Sequence, residues 1–441
     1  MGRLRTSELL AALSVALDLT EGQRAGHALH TAYLALRLAD RIGLPLETRR
    51  AVLYTALLKD AGCSSNAAAV TRIFGIEDQE LKARQSVAGR SVLAMAYLSI
   101  RSLPDEPLPL QARRLIALAL SGTRERRAVE ELRCERGADI ARKIGCSDEV
   151  ADAIMDLHEH WDGRGLPRGL RREAIPLLSR IVTVCAGLDI FASVRGPAAA
   201  RQVIRERGGS WYDPGLTAPL LELCAAGLLD ELLSPSLKED VFSADGDRAI
   251  AFADDAGIDR IASAFADIVD AKSPWTGRHS QRVATIGAGL ARRLGLAGER
   301  LRDIRIGALL HDLGKLGVPN TILDKPASLA PEEWAVIRRH PQLSREILRQ
   351  IELFAAVAEI AACHHERLDG KGYFRGLSAE SLGLSARVVA VADVFEAMTS
   401  ERPYRPAMTE EHALAIMSKS SGDHLAAEVI AALSDVDSLA A

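Results

Sequence analysis

The sequence predicts an all-α protein made of two similar helical bundles in tandem, and three observations carry that expectation. Hydrophobic residues make up 48% of the 441-residue chain but aromatics only 4%, so the core is Leu, Ala, Val and Ile. With few β-branched runs, that composition favours helices. Apolar residues recur at three- and four-residue spacing, whereas strand-like alternation with hairpin turns is scarce. Finally, one plan is written twice along the chain.

The repeat sets the order of the elements. HALHTAYLALRLADRIGL from His27 returns 252 residues later, from His279, as HSQRVATIGAGLARRLGL with its apolar phase kept. The same step carries His311, Asp312 and Lys315 of HDLGK onto Lys59, Asp60 and Cys63 of KDAGC. Further on the step falls to 207, which lays DGKGYFRGL from Asp369 over DGRGLPRGL from Asp162. The drop from 252 to 207 gives the first copy 45 extra residues, between about positions 65 and 150. Agreement in both apolar phase and glycine positions points to duplication.

Residues 234–258 are polar and acidic with Ser, Pro and Gly, the composition of a boundary. The expected division is a first domain over 1–235, a linker over 236–254 and a second domain over 255–441. Within the second, spacing predicts helices over 261–271, 302–314 and 332–340. Pro331 followed by Glu332 and Glu333 marks the start of the last.

Charge and composition exclude several classes. A net charge of −4 offers no global attraction for a nucleic acid polymer, and the short Arg clusters read as solvated helix faces. The first 22 residues are too short and too interrupted by charge for a signal peptide, and no later uncharged apolar stretch is long enough to span a membrane. Cysteines 63, 134, 146, 185, 224 and 363 fall at no metal-ligand or redox spacing. They read as reduced thiols, which predicts a cytoplasmic protein.

The chemistry gathers in the second half. Of its seven histidines, His279, His311, His340 and the adjacent His364 and His365 stand in distinctive company, with Asp312 beside His311 and Asp393 in the apolar run VVAVADVFEAM. His412 and His424, like His30 in the first half, take the ordinary structural reading. Imidazole with carboxylate suits divalent transition metals, and more than four such ligands exceeds one tetrahedral site. Two ions bridged by a carboxylate become plausible.

The ordered set WTGRHSQRVA, LLHDLGKLGVP, RRHPQLSREIL, CHHERLDGKGYFRGL and VADVFEAMTSERPYRP resembles the HD-GYP family, the HD phosphohydrolases that hydrolyse cyclic di-GMP. The resemblance covers residues 260–408 and implies two HD-type bundles, the second with a complete metal site. It implies as ligands His279, His311, Asp312, His340, His364, His365 and Asp393 around two divalent ions, iron or manganese, with Asp312 bridging. Lys315 matches the lysine that contacts the scissile phosphate, so Asp312 and Lys315 form the catalytic pair. Gly372 and Tyr373 of the DGKGY loop, with Arg402 and Arg405 of RPYRP, match the substrate-holding positions. Some members carry a third-metal glutamate where this chain has Trp275, so a two-metal site is expected.

The physics suits that assignment. A phosphodiester anion repels hydroxide, and two ions about 3.5–4 Å apart lower the pKa of a shared water towards about 7 while clamping the phosphate. Lys315 would neutralise charge on the equatorial oxygens, and no nucleophilic Ser or Cys is needed. The implied reaction takes cyclic di-GMP to pGpG or GMP, with mixed cyclic GMP-AMP as the next substrate. Another phosphoester, or a metal-binding adaptor without turnover, are the alternatives.

Two departures bear on substrate. Phe374 stands where the family has the proline of GYP, and Gly422-Asp-His-Leu-Ala replaces a closing element that the first half keeps near Gly209, Asp213 and Pro214. The first half has lost its ligands: Lys59, Leu157 and Ala186 replace two histidines and an aspartate, leaving His27, Asp60 and His158. It reads as catalytically dead. With no pocket marked in the sequence, a packing role against the other half or in a homodimer is the expectation, and a sensory or ligand-binding domain is the alternative.

Overall fold

The computed structural model describes residues 4–65, 67, 79, 123–246, 253–274, 277–401 and 406–433. It divides into two compact units, Met1–Gly257 and Ile258–Ala441. Among the described residues every regular element is a helix, and the β pairings are isolated bridges. The all-α expectation holds.

The first unit contains α1 (Thr6–Thr20), α2 (His27–Arg41), α3 (Leu46–Leu58), α4 (Thr123–Ile144), α5 (Asp148–Met155), α6 (Leu177–Arg195), α7 (Pro197–Arg207) and α8 (Pro214–Ala225). At its centre α2 packs on α3 and α6. Asp18, near the end of α1, accepts from the backbone amides of Gly26 (2.8 Å) and Ala28 (3.0 Å) and so caps α2. Residues 237–243, inside the stretch expected as linker, form a helix. Just beyond it, buried Asp245 accepts from Tyr54 (2.6 Å) and Arg50 (3.1 Å). Most of the 45 extra residues lie outside the described ones.

Among the described residues one helix, α6, is long and apolar enough to cross a membrane by length and composition. Half of it is buried within the unit, and the two charges inside it are paired: Arg180 with Asp213 (2.6 Å) and Asp189 with His27 (2.6 Å). That is how a bundle's core helix looks.

The second unit repeats the plan with α9 (Asp255–Asp270), α10 (His279–Arg293), α11 (Glu299–Leu310), α12 (Pro331–Ile337), α13 (His340–Leu348), α14 (Ala355–Ala362), α15 (Leu384–Thr399) and α16 (Glu410–Lys419). Ile258, Ile261, Ala262, Phe265, Ile268 and Val269 form the buried stripe of α9. Asp270 then caps α10, accepting from the Ser280 amide (3.1 Å) and hydroxyl (2.8 Å) as Asp18 does 252 residues earlier. α10 seats between α11 and α15, where a Cβ on Gly287 would make ordinary contact with Ile304 (3.7 Å) and Ala392 (3.8 Å).

Two expected helices end early, for one reason. The 302–314 segment stops at Leu310 and tightens into a 3-10 turn over Leu313–Gly317, and the 332–340 segment stops at Ile337 before α13 begins at His340. A side chain at Gly314 would run into the His340 carbonyl. Gly314 N donates to Ser344 Oγ (2.8 Å), which donates to the His311 carbonyl (2.8 Å). The two breaks therefore interlock, and both leave a histidine pointing inward.

Candidate metal centre

Seven side chains meet where these breaks converge. His311 and Asp312 come from the end of α11, His340 from the start of α13, His364 and His365 from just beyond α14, His279 from the start of α10, and Asp393 from α15. His311 and His340 are wholly buried, and Asp312 and His364 are 2% exposed.

Asp312 stands in the middle with its two oxygens facing opposite ways. Oδ1 lies 3.3 Å from His340 Nε2 and 3.7 Å from His364 Nε2. Oδ2 lies 3.3 Å from His311 Nε2 and 3.7 Å from His279 Nε2. Asp393 Oδ1 closes the second group, 3.3 Å from His279 Nε2 and 3.9 Å from His311 Nε2. His365 joins the first, where His340, His364 and His365 bring ligand atoms within 4.8 Å of one another. The result is two donor sets sharing one carboxylate.

Backbone carbonyls decide which imidazole nitrogen is free to bind. Nδ1 of His311, His340 and His364 donates to the carbonyls of Ala308 (2.6 Å), Ile337 (2.7 Å) and Ala361 (2.6 Å), each three residues back. With the proton on Nδ1, the Nε2 lone pairs all point inward. His340 Nε2 and His364 Nε2 then face each other at 3.1 Å, while His311 Nε2 and Asp312 Oδ1 are buried without a hydrogen-bond partner. Orphaned acceptors at such closeness are what divalent cations satisfy.

The electrostatics divide along the same line. Burial pushes His340 and His364 below the ordinary imidazole range, and His365 down to about 3, so that this set is neutral. On the other side burial opposes protonation of His279 and His311. The Asp393 and Glu396 carboxylates nevertheless raise His279 to about 10, and Asp312 raises His311. Burial would raise Asp312 and Asp393 too, but the surrounding histidines hold both well below the usual carboxylate range. A bound cation would displace those protons.

Around this set, Lys315 Nζ reaches Asp312 Oδ2 (2.6 Å) and remains 22% exposed. Tyr373 lays its ring 4.8 Å from that of His365, with Arg338 5.4 Å over it. Burial, with Asp312 and Asp393 nearby, pushes its phenol up, so it keeps its proton. Gly372 is required by packing, because a side chain there would strike the backbone of Glu366 and Arg367. Arg402, Arg405 and Trp275 lie outside the described residues. The half-buried His424 lines a small cleft beside Cys363 and Leu382, and His412 is exposed in the first turn of α16.

Sequence reasoning missed the supports. Glu396 accepts from His279 Nδ1, and its other oxygen takes Arg282 Nε (2.6 Å). It lies one turn after Asp393 on α15, and that i,i+3 spacing was the available signal. A counterpart stands 207 residues earlier: Asp189 accepts from His27 (2.6 Å) and His30 (3.1 Å). Both departures noted in the sequence leave the backbone alone. Tyr373 N donates to the His365 carbonyl (3.2 Å) as Leu166 N does to that of His158 (3.0 Å), and both following peptides are cis. Gly422 N bonds the Leu425 carbonyl (2.9 Å) just as Gly209 N bonds that of Tyr212 (2.8 Å).

In the first unit, by the same geometry, Lys59 and Asp60 stand where His311 and Asp312 stand. A side chain at Gly62 would strike the Arg133 carbonyl, as one at Gly314 would strike that of His340. Arg133 is therefore the counterpart of His340, 207 residues earlier. Lys59 Nζ bonds Asp60 Oδ2 and Arg133 Nη2 lies 3.6 Å from Oδ1, the same two oxygens that His311 and His340 approach in the second unit. Fixed cations stand at the positions of His311 and His340.

Known proteins resemble the chain along its length. The HD domain family model matches twice, over residues 89–216 and 263–429. The 3'3'-cGAMP-specific phosphodiesterase 3 of Vibrio cholerae is 37% identical over 97% of this chain and 93% of its own. A crystal structure of a cyclic GMP-AMP specific phosphodiesterase from V. cholerae superimposes with TM-score 0.66 at 34% identity, covering 98% of this chain and 97% of that one. A cyclic di-GMP phosphodiesterase response regulator of Xanthomonas campestris is 41% identical over 35% of this chain and 42% of its own.

Proposed function

This chain belongs to the HD domain family, in its HD-GYP branch, and on that premise we propose that its second unit is a two-metal phosphodiesterase acting on a cyclic dinucleotide. One observation carries the reading: Asp312 turns an oxygen to each of two buried donor sets, His279, His311 and Asp393 on one side and His340, His364 and His365 on the other. When bound there, two divalent ions, iron or manganese by the mixture of imidazole and carboxylate, supply a water acidified to hydroxide near neutral pH and neutralise the phosphate. The chain's own residues do the rest. The carbonyls of Ala308, Ile337 and Ala361 hold the imidazoles in one tautomer, and Glu396 does so for His279. Lys315, one turn from His311 and partly exposed, carries the charge that meets the phosphate oxygens. Tyr373, protonated beside His365, offers a phenol to the substrate.

We favour 3'3'-cGAMP as the substrate, with cyclic di-GMP second. The supporting observation is coverage: the relative named for cGAMP matches along 97% of the chain, the one named for cyclic di-GMP along 35%. Six cysteines without a disulfide suit a cytoplasmic signalling enzyme. The test is anaerobic purification, metal analysis, and hydrolysis of both dinucleotides beside an Asp312→Ala control. About two ions per chain, with turnover faster on 3'3'-cGAMP and absent from the control, is the expected result. Metal without turnover of either dinucleotide would move the substrate to another phosphoester, and lack of metal after reconstitution would sink the reading.

A further inference from the structure

The first unit contains a hollow where the second has its donor sets. It measures about 190 Å³ and is lined at charged positions by Lys59, Arg133 and Arg207 with the carboxylates Glu21 and Asp60, and at apolar ones by Phe191, Trp211 and Leu157. The sequence marked no pocket here, and the structure contains one, with the small Ala186 on its wall. Ala186 and Gly187 stand where the second unit has Asp393 and Val394, and the second of these places is taken by the Tyr212 hydroxyl, which a Cβ on Gly187 would strike.

Two features argue against a relic that only packs. A former site kept for packing would be cheapest filled with apolar side chains, since buried ion pairs gain little over well-packed hydrophobic ones. This one keeps Lys59 and Arg133 buried against Asp60 and Glu21, with Arg133 Nη2 3.0 Å from Glu21. The same cations exclude metal: the groups Glu21, Asp60, Cys63 and Glu130, Cys134, His158 have ligand spacing, but Arg133 lies within 4 Å of Glu21, Asp60 and Glu130. A divalent ion would meet like charge.

What remains is a site for an anion with a ring. Arg207 has no carboxylate partner among the described residues; its guanidinium lies 4.0 Å over Trp211 and 5.0 Å over Phe191. His160 stacks on Trp211 at 4.2 Å, and Arg207 also meets the Tyr212 hydroxyl, so this wall sets rings and a phenol beside a cation that no described carboxylate neutralises. The counterpart surface in the second unit is the one read above as holding a phosphodiester. We propose that the first unit is a receptor site for a nucleoside monophosphate, binding its phosphate through Lys59, Arg133 and Arg207 and its base against the Phe191 and Trp211 wall, without hydrolysis. The choice of a nucleotide among ring-bearing anions rests on the second unit's reading as a nucleotide phosphodiesterase.

The test uses the full chain carrying Asp312→Ala, so that binding is measured apart from turnover and from the second site. GMP and AMP are titrated by calorimetry, with inorganic phosphate and guanosine as separate probes. One equivalent of nucleotide per chain is expected, weakened at least about tenfold by Arg207→Ala and by Lys59→Met, as loss of a charge-assisted hydrogen bond implies. Should Lys59→Met unfold the unit, Arg207→Ala at a half-buried side chain still reads the site. No binding of either nucleotide, binding untouched by Arg207→Ala, or phosphate alone binding as tightly would overturn the proposal. Hydrolysis by the wild-type chain, assayed separately, tells failure here from failure of the phosphodiesterase reading.

Discussion

Two carboxylates, Asp60 and Asp312, occupy the same place in two copies of one bundle, yet the side chains around them have opposite chemistry. Asp312 is approached through both oxygens by imidazoles whose lone pairs face inward, whereas the same oxygens of Asp60 are approached by an ammonium and a guanidinium. The first surrounding asks for cations and the second already supplies them. Meanwhile the scaffolding is shared: an aspartate caps the helix that carries the first histidine (Asp18 and Asp270), a carboxylate holds that histidine (Asp189 and Glu396), and a glycine lets two chain breaks interlock (Gly62 and Gly314). What positions a ligand has outlasted the ligand itself, because caps and close contacts support folding whether or not a metal is bound.

The sharpest break between the units is catalytic. Asp312→Ala removes the carboxylate that both donor sets share, so hydrolysis should fall by at least about a thousandfold and metal content should collapse with it. Retention of turnover would mean that the seven-residue cluster is not the reaction centre. Next in size are the supporting carboxylates. Glu396→Gln leaves every donor in place but loosens His279, and metal affinity should drop about 10–100-fold. Asp189→Asn, the equivalent change, should lower the melting temperature while leaving metal content untouched. Equal metal loss in both variants would show that the first unit holds metal after all.

How much of this was legible differs between fold and site. The helical class, the repeat and the order of the seven donors follow from residue spacing, because apolar phase and motif order are one-dimensional properties. Helix ends were not legible: nothing within the 302–314 run says it stops at Leu310, since Gly314 packs on His340, 26 residues away in sequence. Nor was Arg133. No histidine precedes His158 in that stretch, which reads as a missing ligand, and only the contact with Gly62 identifies what replaced it. The cavity was invisible for a related reason, being a volume left by Ala186 rather than a residue present. A small residue in place of a large one carries no motif.

The shared scaffold makes a prediction of equality. Gly62→Ala and Gly314→Ala both drive a Cβ into backbone, so each should cost its own unit about 1–3 kcal/mol, seen as lowered melting temperature. In the second unit metal affinity should fall as well, because the displaced carbonyl belongs to His340, whereas the first unit has no such affinity to lose. A large difference in stability between the two variants would mean the interlocked breaks are not equivalent.

The smallest effect expected, and the most demanding of the comparison, is to write the lost ligands back. Lys59→His, Arg133→His, Leu157→His and Ala186→Asp together would complete a set of seven donors with His27, Asp60 and His158. Asp189 already holds His27 in the required tautomer, and the cations that repel metal are the two being replaced. Metal content should then rise from about two towards about four ions per chain. Hydrolysis at the rebuilt site is not expected, because Cys63 stands where Lys315 does and supplies no charge to a phosphate. If metal content stays at about two, the first unit's backbone has drifted too far for its side chains alone to explain its silence.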